Sequence, residues 1–333
     1  MQPLALSLHP STTVLVDDSE SFLRSLAFQF GPERATLGFT DARAAIDWLR
    51  SHSPPRVPGL AAHFDSGQCT VSCDVGAIHH AAFDGARFHT PSVLVVDYSM
   101  PQMNGLEFCE AIQDLPCKKI LFTGAADEKI AIDAFHRGLI DRYFRKGDRD
   151  ALATLESDIA RLEQRFFLDQ GKVLRELLSV QFLSFVNSAN VVALVDDLRA
   201  RHGFVEHYVY PDPAGVLLLE ANGDASLLVL QTEEGMQAHY EMACDTDAPP
   251  ALVSALRDRV VVPYFYDGDG MYSRANASDW YRYVQPARVL SGRQTWYWAL
   301  FKLPARVLAQ PVLSWRAHQS GLTPHAAFAA AAV

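Results

Sequence analysis

Short runs rich in β-branched and aromatic residues, each followed by a helical pattern, recur five times in the first half of this chain. The runs are TVLV (13–16), a patch at Leu37–Phe39, SVLVV (92–96), KILF (119–122) and RYF (142–144). Between them lie SFLRSLAFQF (21–30), DARAAIDWLRS (41–51) and helical patterns over 104–114, over 128–138 and from Asp150. Such βα alternation predicts an α/β fold, a doubly wound five-stranded parallel sheet with helices on both faces. In that architecture functional groups gather at the carboxyl ends of the strands. Asp17 and Asp18 follow the first run, Asp97 the third, Thr123 the fourth and Lys146 the fifth.

One interruption breaks the rhythm. Residues 51–91 separate the second helix from the third strand, where such loops usually take about 2–6 residues. The insert contains Pro54, Pro55, Pro58, Cys69, Cys73 and five His. It leaves a helix and enters a strand, so it belongs at the sheet end opposite the acidic residues. Its default reading is a solvated subdomain or partner surface. A zinc site of Cys69, Cys73, His63, His79, His80 and His89 is disfavoured, because C-x3-C departs from the usual knuckle spacing.

From Leu152 a row of Leu155, Ile159, Leu162, Phe166, Val173, Leu177 and Val180 follows 3–4 spacing, the sign of a helix seam. A helical linker is therefore expected over 151–202. Its apolar row packs either on its own second domain or, as a homodimer through 126–180, on another copy. Beyond Gly203 the texture becomes α+β. FVEHYVY, VLLLE and ASLLVLQ read as a meander broken by the turns PDPAG and ANGD. Helical patterns at 233–242 and 250–258 follow, then a strand-like VVVPYFY (260–266) and an aromatic final third. The expected domains are 12–150 with the insert 51–91, the linker 151–202, and an α+β output domain over 203–320. Residues 321–333 read as a frayed tail.

Composition narrows the class. The chain has 333 residues, 49% of them hydrophobic, and a formal charge of −10, which fits two globular domains and argues against general adhesion to nucleic acid. Its apolar runs are far shorter than the ~18–20 residues of a membrane helix, so no membrane insertion is expected. The first residues lack a basic, then apolar, leader pattern. Five scattered Cys argue for a reducing, cytoplasmic setting.

Three carboxylates at one sheet edge repel one another unless a cation joins them. Asp17, Asp18 and Asp97 supply the hard oxygens that Mg²⁺ prefers. A carboxylate held there can take a phosphoryl group as an acyl phosphate, with an ammonium and a hydroxyl steadying the transferring oxygens.

Residues 12–165 resemble a CheY-like receiver domain of bacterial two-component response regulators. The matching pieces are VLVDDSESF, VLVVDYSMPQMNG, ILFTGAAD and RYFRKGD, in family order. The resemblance implies a flavodoxin-like fold, Asp97 as phospho-acceptor, and Mg held by Asp17, Asp18, Asp97 and the backbone carbonyl of Ser99. It implies Lys146 as the conserved lysine, Thr123 as the switch hydroxyl and Tyr143 as the aromatic that turns inward. Pro101 and Gly105 shape the loop after the acceptor. It also implies a sensor histidine kinase as partner and a phosphorylation-driven change along 126–165. Where the family usually places proline after the lysine, this chain has Gly147. A cis bond there would cost about 2.5–4 kcal/mol, so a trans peptide and an altered phosphoryl lifetime are expected.

The output half matches no family by its motifs. Residues 171–333 carry net −3, which leaves −7 for the first 170. No Ser/His/Asp grouping, GxGxxG or P-loop stands there, so an interaction module is preferred to an enzyme, with DNA binding third. The last 54 residues hold Arg282, Arg288, Arg293, Lys302, Arg306 and Arg316 with no Asp or Glu, beside Trp280, Trp296, Trp298 and Trp315. A core strand with Arg reaching to solvent is preferred to an anion pocket or nucleic-acid surface. In TWYWALF, Trp296 and Trp298 should share one face and Tyr297 the other. Asp267, Asp269 and Asp279 fail the EF-hand template and read as an ordinary turn.

Overall fold

A computed structural model describes residues 2–31, 33–54, 60–65, 68–123, 128–145, 147, 151–181, 183–308 and 310–321. For 60–65, 68–73, Thr123, Glu128, Ala151 and 179–181 it describes the backbone alone. The chain divides into two compact units, and neither is a continuous stretch. The first comprises Leu8–Pro58, Asp84–Val173 and Trp315–Val333; the second comprises Met1–Ser7, Gly59–Phe83 and Leu174–Ser314.

The first unit is the predicted α/β sandwich. Its elements are β1 (Thr12–Val16), α1 (Glu20–Phe30), β2 (Ala35–Phe39), α2 (Ala42–His52), β3 (Pro91–Val96), α3 (Gly105–Ala111), β4 (Lys118–Thr123), α4 (Glu128–His136), β5 (Arg142–Arg145) and α5 (Ala151–Gln170). The sheet order is β2-β1-β3-β4-β5, every pair parallel. β1 and β3 are buried along their whole length, which is why they read as unbroken apolar runs rather than alternating ones. Val14, Val16, Leu94, Val96 and Leu121 face one core with Phe108 of α3 and Ile112, the residue that caps its carboxyl end. Leu15, Val93, Val95, Ile120 and Phe122 face the other with α1 and α5.

The apolar row beginning at Leu152 resolves here. Leu155, Ile159 and Leu162 are buried against this second face with Leu152 beside them, so α5 uses the row within its own unit. Beyond the break at Gly171 the register changes. In α6 (Lys172–Gln181) Leu174 and Leu178 are buried, whereas Val173 and Leu177 are 48% and 49% exposed. The side chain of Val180 lies outside the described residues.

The second unit is built on a six-stranded sheet in the order Ser7–Leu8, β6 (Phe204–Tyr210), β7 (Gly215–Glu220), β8 (Ala225–Gln231), β9 (Trp296–Lys302) and Arg288–Leu290. β6, β7, β8, β9 and Arg288–Leu290 pair antiparallel, the meander expected from the two turns. Alternate residues serve two cores. Val209, Val216, Leu218, Leu228, Trp296 and Trp298 meet α6 and α7 (Ala189–His202). Tyr208, Leu217, Leu227, Ala299 and Phe301 meet Val262 and Tyr264 on the opposite face, with Tyr297 packed beside them. Gly203, at φ 71, ends α7 in the left-handed conformation that favours glycine and turns the chain into β6.

Three departures from the sequence reading stand out. The insert is not merely solvated: Ile78 and Ala82 join the two cores of the second unit, while Phe88 is fully buried in the first. The extreme amino terminus is structural, since Leu4 N–H donates to Val186 O and Val209 N–H donates to Leu6 O, both within the second unit. VVVPYFY, expected as a strand over 260–266, narrows to the strand Val261–Pro263. The tail 322–333 lies outside the described residues. No helix among those described is long and apolar enough to cross a membrane.

Candidate functional site

The parallel register of β1 and β3 sets Val16 opposite Val96, so the next residues, Asp17 and Asp97, leave adjacent strands side by side. Backbone bonds hold both in place: Asp97 N–H donates to Val16 O at 2.8 Å, and Asp17 N–H to Phe39 O at 3.2 Å. Both carboxylates are buried, 3% and 6% exposed, whereas Asp18 is exposed beside them. Burying two like charges together is costly unless dipoles or a cation answer them. Part of the answer is local. Ser19 N–H donates to Asp17 Oδ1 at 2.9 Å, and Ser99 N–H donates to Asp97 Oδ2 at 2.8 Å. Ser19 also caps α1, its Oγ accepting from Phe22 N–H, so helix start and acid orientation are one arrangement. A cavity of about 10 Å³ is lined by Asp17 and Asp97 together with Phe22 and Phe122.

The loop after Asp97 returns tightly. Gly105 N–H donates to Tyr98 O at 2.9 Å, and a Cβ on Gly105 would stand 2.4 Å from the Asp97 carbonyl oxygen. Asn104 caps α3 by accepting from Leu106 and Glu107 N–H, and Glu107 accepts from Asn104 N–H in return. This box was not singled out from sequence, although Asn-x-x-Glu ahead of apolar residues is its signal. Truncating Asn104→Ala should cost about 1 kcal/mol of stability, read as a lowered denaturation midpoint.

The other expected site residues are placed as follows. Thr123 ends β4, its backbone opposite Arg145 of β5, while its side chain is not described. Lys146 lies outside the described residues, directly after β5. Tyr143 lies opposite Leu121 and is half-buried against the α2–α3–α4 core, its hydroxyl accepting from Arg145 Nε at 3.3 Å. Among the described residues no three His, Cys, Asp or Glu gather as a metal cluster. Two buried carboxylates and the Ser99 carbonyl, completed by water, nonetheless suit Mg²⁺, which takes few protein oxygens.

The side chains of His63, Cys69 and Cys73 lie outside the described residues. His79 and His80 belong to the second unit and His89 to the first. Cys109 and Cys117 are buried in the first unit, and burial pushes their thiols up to about 12 and about 11, which makes them inert packing groups. In the second unit, Asp267 accepts from Tyr283 and pairs with Arg306, and the Tyr283 hydrogen bond is the main reason its carboxyl sits below the ordinary range. Arg282 pairs with Asp279, Lys302 with Asp224, and Arg288 lies over the Trp298 ring at 5.0 Å. The cationic stretch is thus largely answered by its own unit. A further cavity of about 410 Å³ lies beside Cys244, Asp247 and Arg257.

The first unit, a five-stranded parallel sheet with buried acids at its carboxyl edge, carries a receiver domain of a response regulator in two-component signalling. The response regulator receiver domain family matches residues 60–155, from inside the insert to α5. Along nearly its whole length the chain is similar to the response regulator LqsR of Legionella pneumophila. The two are 29% identical, the match covers 97% of this chain and 98% of that one, and the TM-score is 0.77. The receiver domain of the Francisella response regulator 1452 matches at 14% identity, over 46% of this chain and 98% of that one, TM-score 0.33. A CheY-like receiver domain protein from Methanospirillum hungatei matches at 17% identity, over 47% and 98%, TM-score 0.32. No curated protein matches.

Proposed function

We propose that this chain is a cytoplasmic bacterial response regulator in which Asp97 takes a phosphoryl group from the phosphohistidine of a sensor kinase. The pairing of buried Asp17 and Asp97 at the ends of adjacent strands carries the reading. In the transfer the P–N bond of the donor breaks and an Asp97 carboxylate oxygen bonds phosphorus. Ser99 N–H, on Oδ2, fixes the plane of that carboxylate for in-line approach. Asp17, Asp18, Asp97 and the Ser99 carbonyl would hold Mg²⁺, which, when bound, supplies charge neutralisation at the transferring oxygens. Lys146 and Thr123 supply an ammonium and a hydroxyl to the phosphoryl oxygens. The added charge, about −2, draws Thr123 and Tyr143 inward and alters the α4–β5–α5 face.

The second unit is proposed as a protein-interaction module rather than an enzyme or DNA-binding effector. Its central sheet is buried on both faces, and its basic side chains are largely engaged by acids or a ring of the same unit. Incubation with acetyl phosphate and Mg²⁺ tests the phosphoryl reading. One hydroxylamine-labile phosphoryl group per chain is expected, on the peptide holding Asp97 and lost with EDTA. Incorporation that ignores EDTA, or that maps elsewhere, contradicts it.

A further inference from the structure

The carboxyl-terminal helix Trp315–Gly321 folds back into the receiver unit rather than the unit that precedes it in sequence. Trp315 is buried, its ring 5.1 Å from that of Phe88. One turn on, the His318 ring lies 4.8 Å from Phe88 and stacks on Trp315 at 5.4 Å. His89 meets His318 edge-on at 5.0 Å and faces His52, the last residue of α2, at 6.3 Å. His52 in turn stacks on Trp48 at 4.2 Å. Three imidazoles from three distant segments therefore form one row, and aromatic faces line the seat of the helix.

Such a row tolerates charge poorly. The face of Trp315 could accept one cation, but the surroundings count against it. Burial, before any other cause, holds both His89 and His318 below the ordinary imidazole range. The charges acting on them are of one sign: His52 on His89, and His89 with Arg87 on His318. Arg316, on the helix itself, is exposed. Among the described residues, no carboxylate contributes to the groups that act on the pair.

We propose that the pair His89–His318, flanked by His52, is an acid-released clasp, which holds the carboxyl-terminal helix on the receiver unit when the pair is neutral and frees it when the pair is protonated. The undocked helix binds protons more readily than the docked one. Docking is therefore full above the ordinary histidine value of about 6.5 and is lost progressively as pH falls below it. Ser314 is the last residue of the second unit, so release frees the helix that directly follows that unit in sequence. The clasp lies away from the carboxyl edge of the sheet and answers to protons, an input separate from phosphorylation.

Hydrogen exchange of the full chain, read by mass spectrometry at about pH 7.5 and about pH 5.5 and corrected for intrinsic rates, tests the clasp. Protection over 315–321 should fall several-fold at the lower pH while β3 peptides keep theirs. Unchanged protection of the helix overturns the proposal. In the variants His89→Phe and His318→Phe, which keep an aromatic face, protection should become less dependent on pH. A pH response as large as in the unsubstituted chain overturns it as well. The C2-proton titration of His318 gives a reading that needs no variant: a midpoint below the ordinary value is expected, and an ordinary one refutes the clasp.

Discussion

Replacing Asp97 by asparagine is expected to reduce phosphoryl incorporation from acetyl phosphate to background while leaving the receiver unit folded. An amide oxygen is a poor nucleophile towards phosphorus, so no acyl phosphate forms. The substitution is isosteric, and the new side-chain amide keeps an oxygen to accept the Ser99 N–H bond that Asp97 Oδ2 accepts at 2.8 Å. It also removes one of two buried like charges on adjacent strands, so the thermal midpoint without Mg²⁺ should stay level or rise. Asp17→Asn should behave differently. It leaves the nucleophile intact and weakens the cation site, so labelling should persist but require more Mg²⁺. Labelling of D97N at the rate of the unsubstituted chain would remove Asp97 from the chemistry. Equal Mg²⁺ dependence in D17N would remove Asp17 from the cation site.

The receiver sheet could be read from sequence because its signals are local. TVLV and SVLVV are short, wholly apolar and closed by acids, and parallel strands covered on both faces have that texture. The meander of the second unit was equally plain, since PDPAG and ANGD carry their own turn chemistry. Membership of a unit is not local information. Leu4 and Leu6 form too short a patch to declare a strand, and their burial comes only with Val186 and Val209, far along the chain. Ile78 and Phe88 lie ten residues apart in one insert and end in different cores, because the chain crosses from one unit to the other between Phe83 and Asp84. The row from Leu152 to Leu177 kept its spacing through Gly171, yet the buried side moves from Leu162 and Phe166 to Leu174 and Leu178. A period shows which residues share a face. It does not show which neighbour covers that face.

Asp17, Asp97 and the backbone of Thr123 fall where their strands end, while the contacts that orient the two acids were less visible. Asp17 and Asp97 are set by register, and register follows from which strands are neighbours. Their N–H partners, Ser19 and Ser99, are ordinary residues in sequence and matter only through a turn two residues long. Asn104 and Glu107 act one step further out, by fixing the helix whose first residue lies against the backbone of Asp97.

That contact makes Gly105→Ala the most damaging single-methyl change expected in the receiver unit. The new Cβ would stand 2.4 Å from the Asp97 carbonyl oxygen and 2.9 Å from Leu121 Cδ1. Leu121 can turn aside. The carbonyl cannot easily follow, because Asp97 N–H is bonded to Val16 O in the middle of the sheet edge. Relief must come from α3 withdrawing, which stretches the Gly105 N–H bond to Tyr98 O and lifts the turn that carries Ser99. Overpacking of this kind costs about 2–3 kcal/mol, more than the cap lost in Asn104→Ala. Hydrogen exchange of β1 and β3 peptides along a denaturant series should show the loss in the receiver unit. Because Ser99 moves with the turn, labelling of Asp97 should also slow at fixed Mg²⁺, an effect that simple destabilisation of a still-folded unit would not produce. The double variant N104A/G105A should lose less than the two single losses added together, since both act on the same helix start. Full additivity, or a G105A protein as stable and as readily labelled as its parent, would mean that α3 does not hold the loop after Asp97.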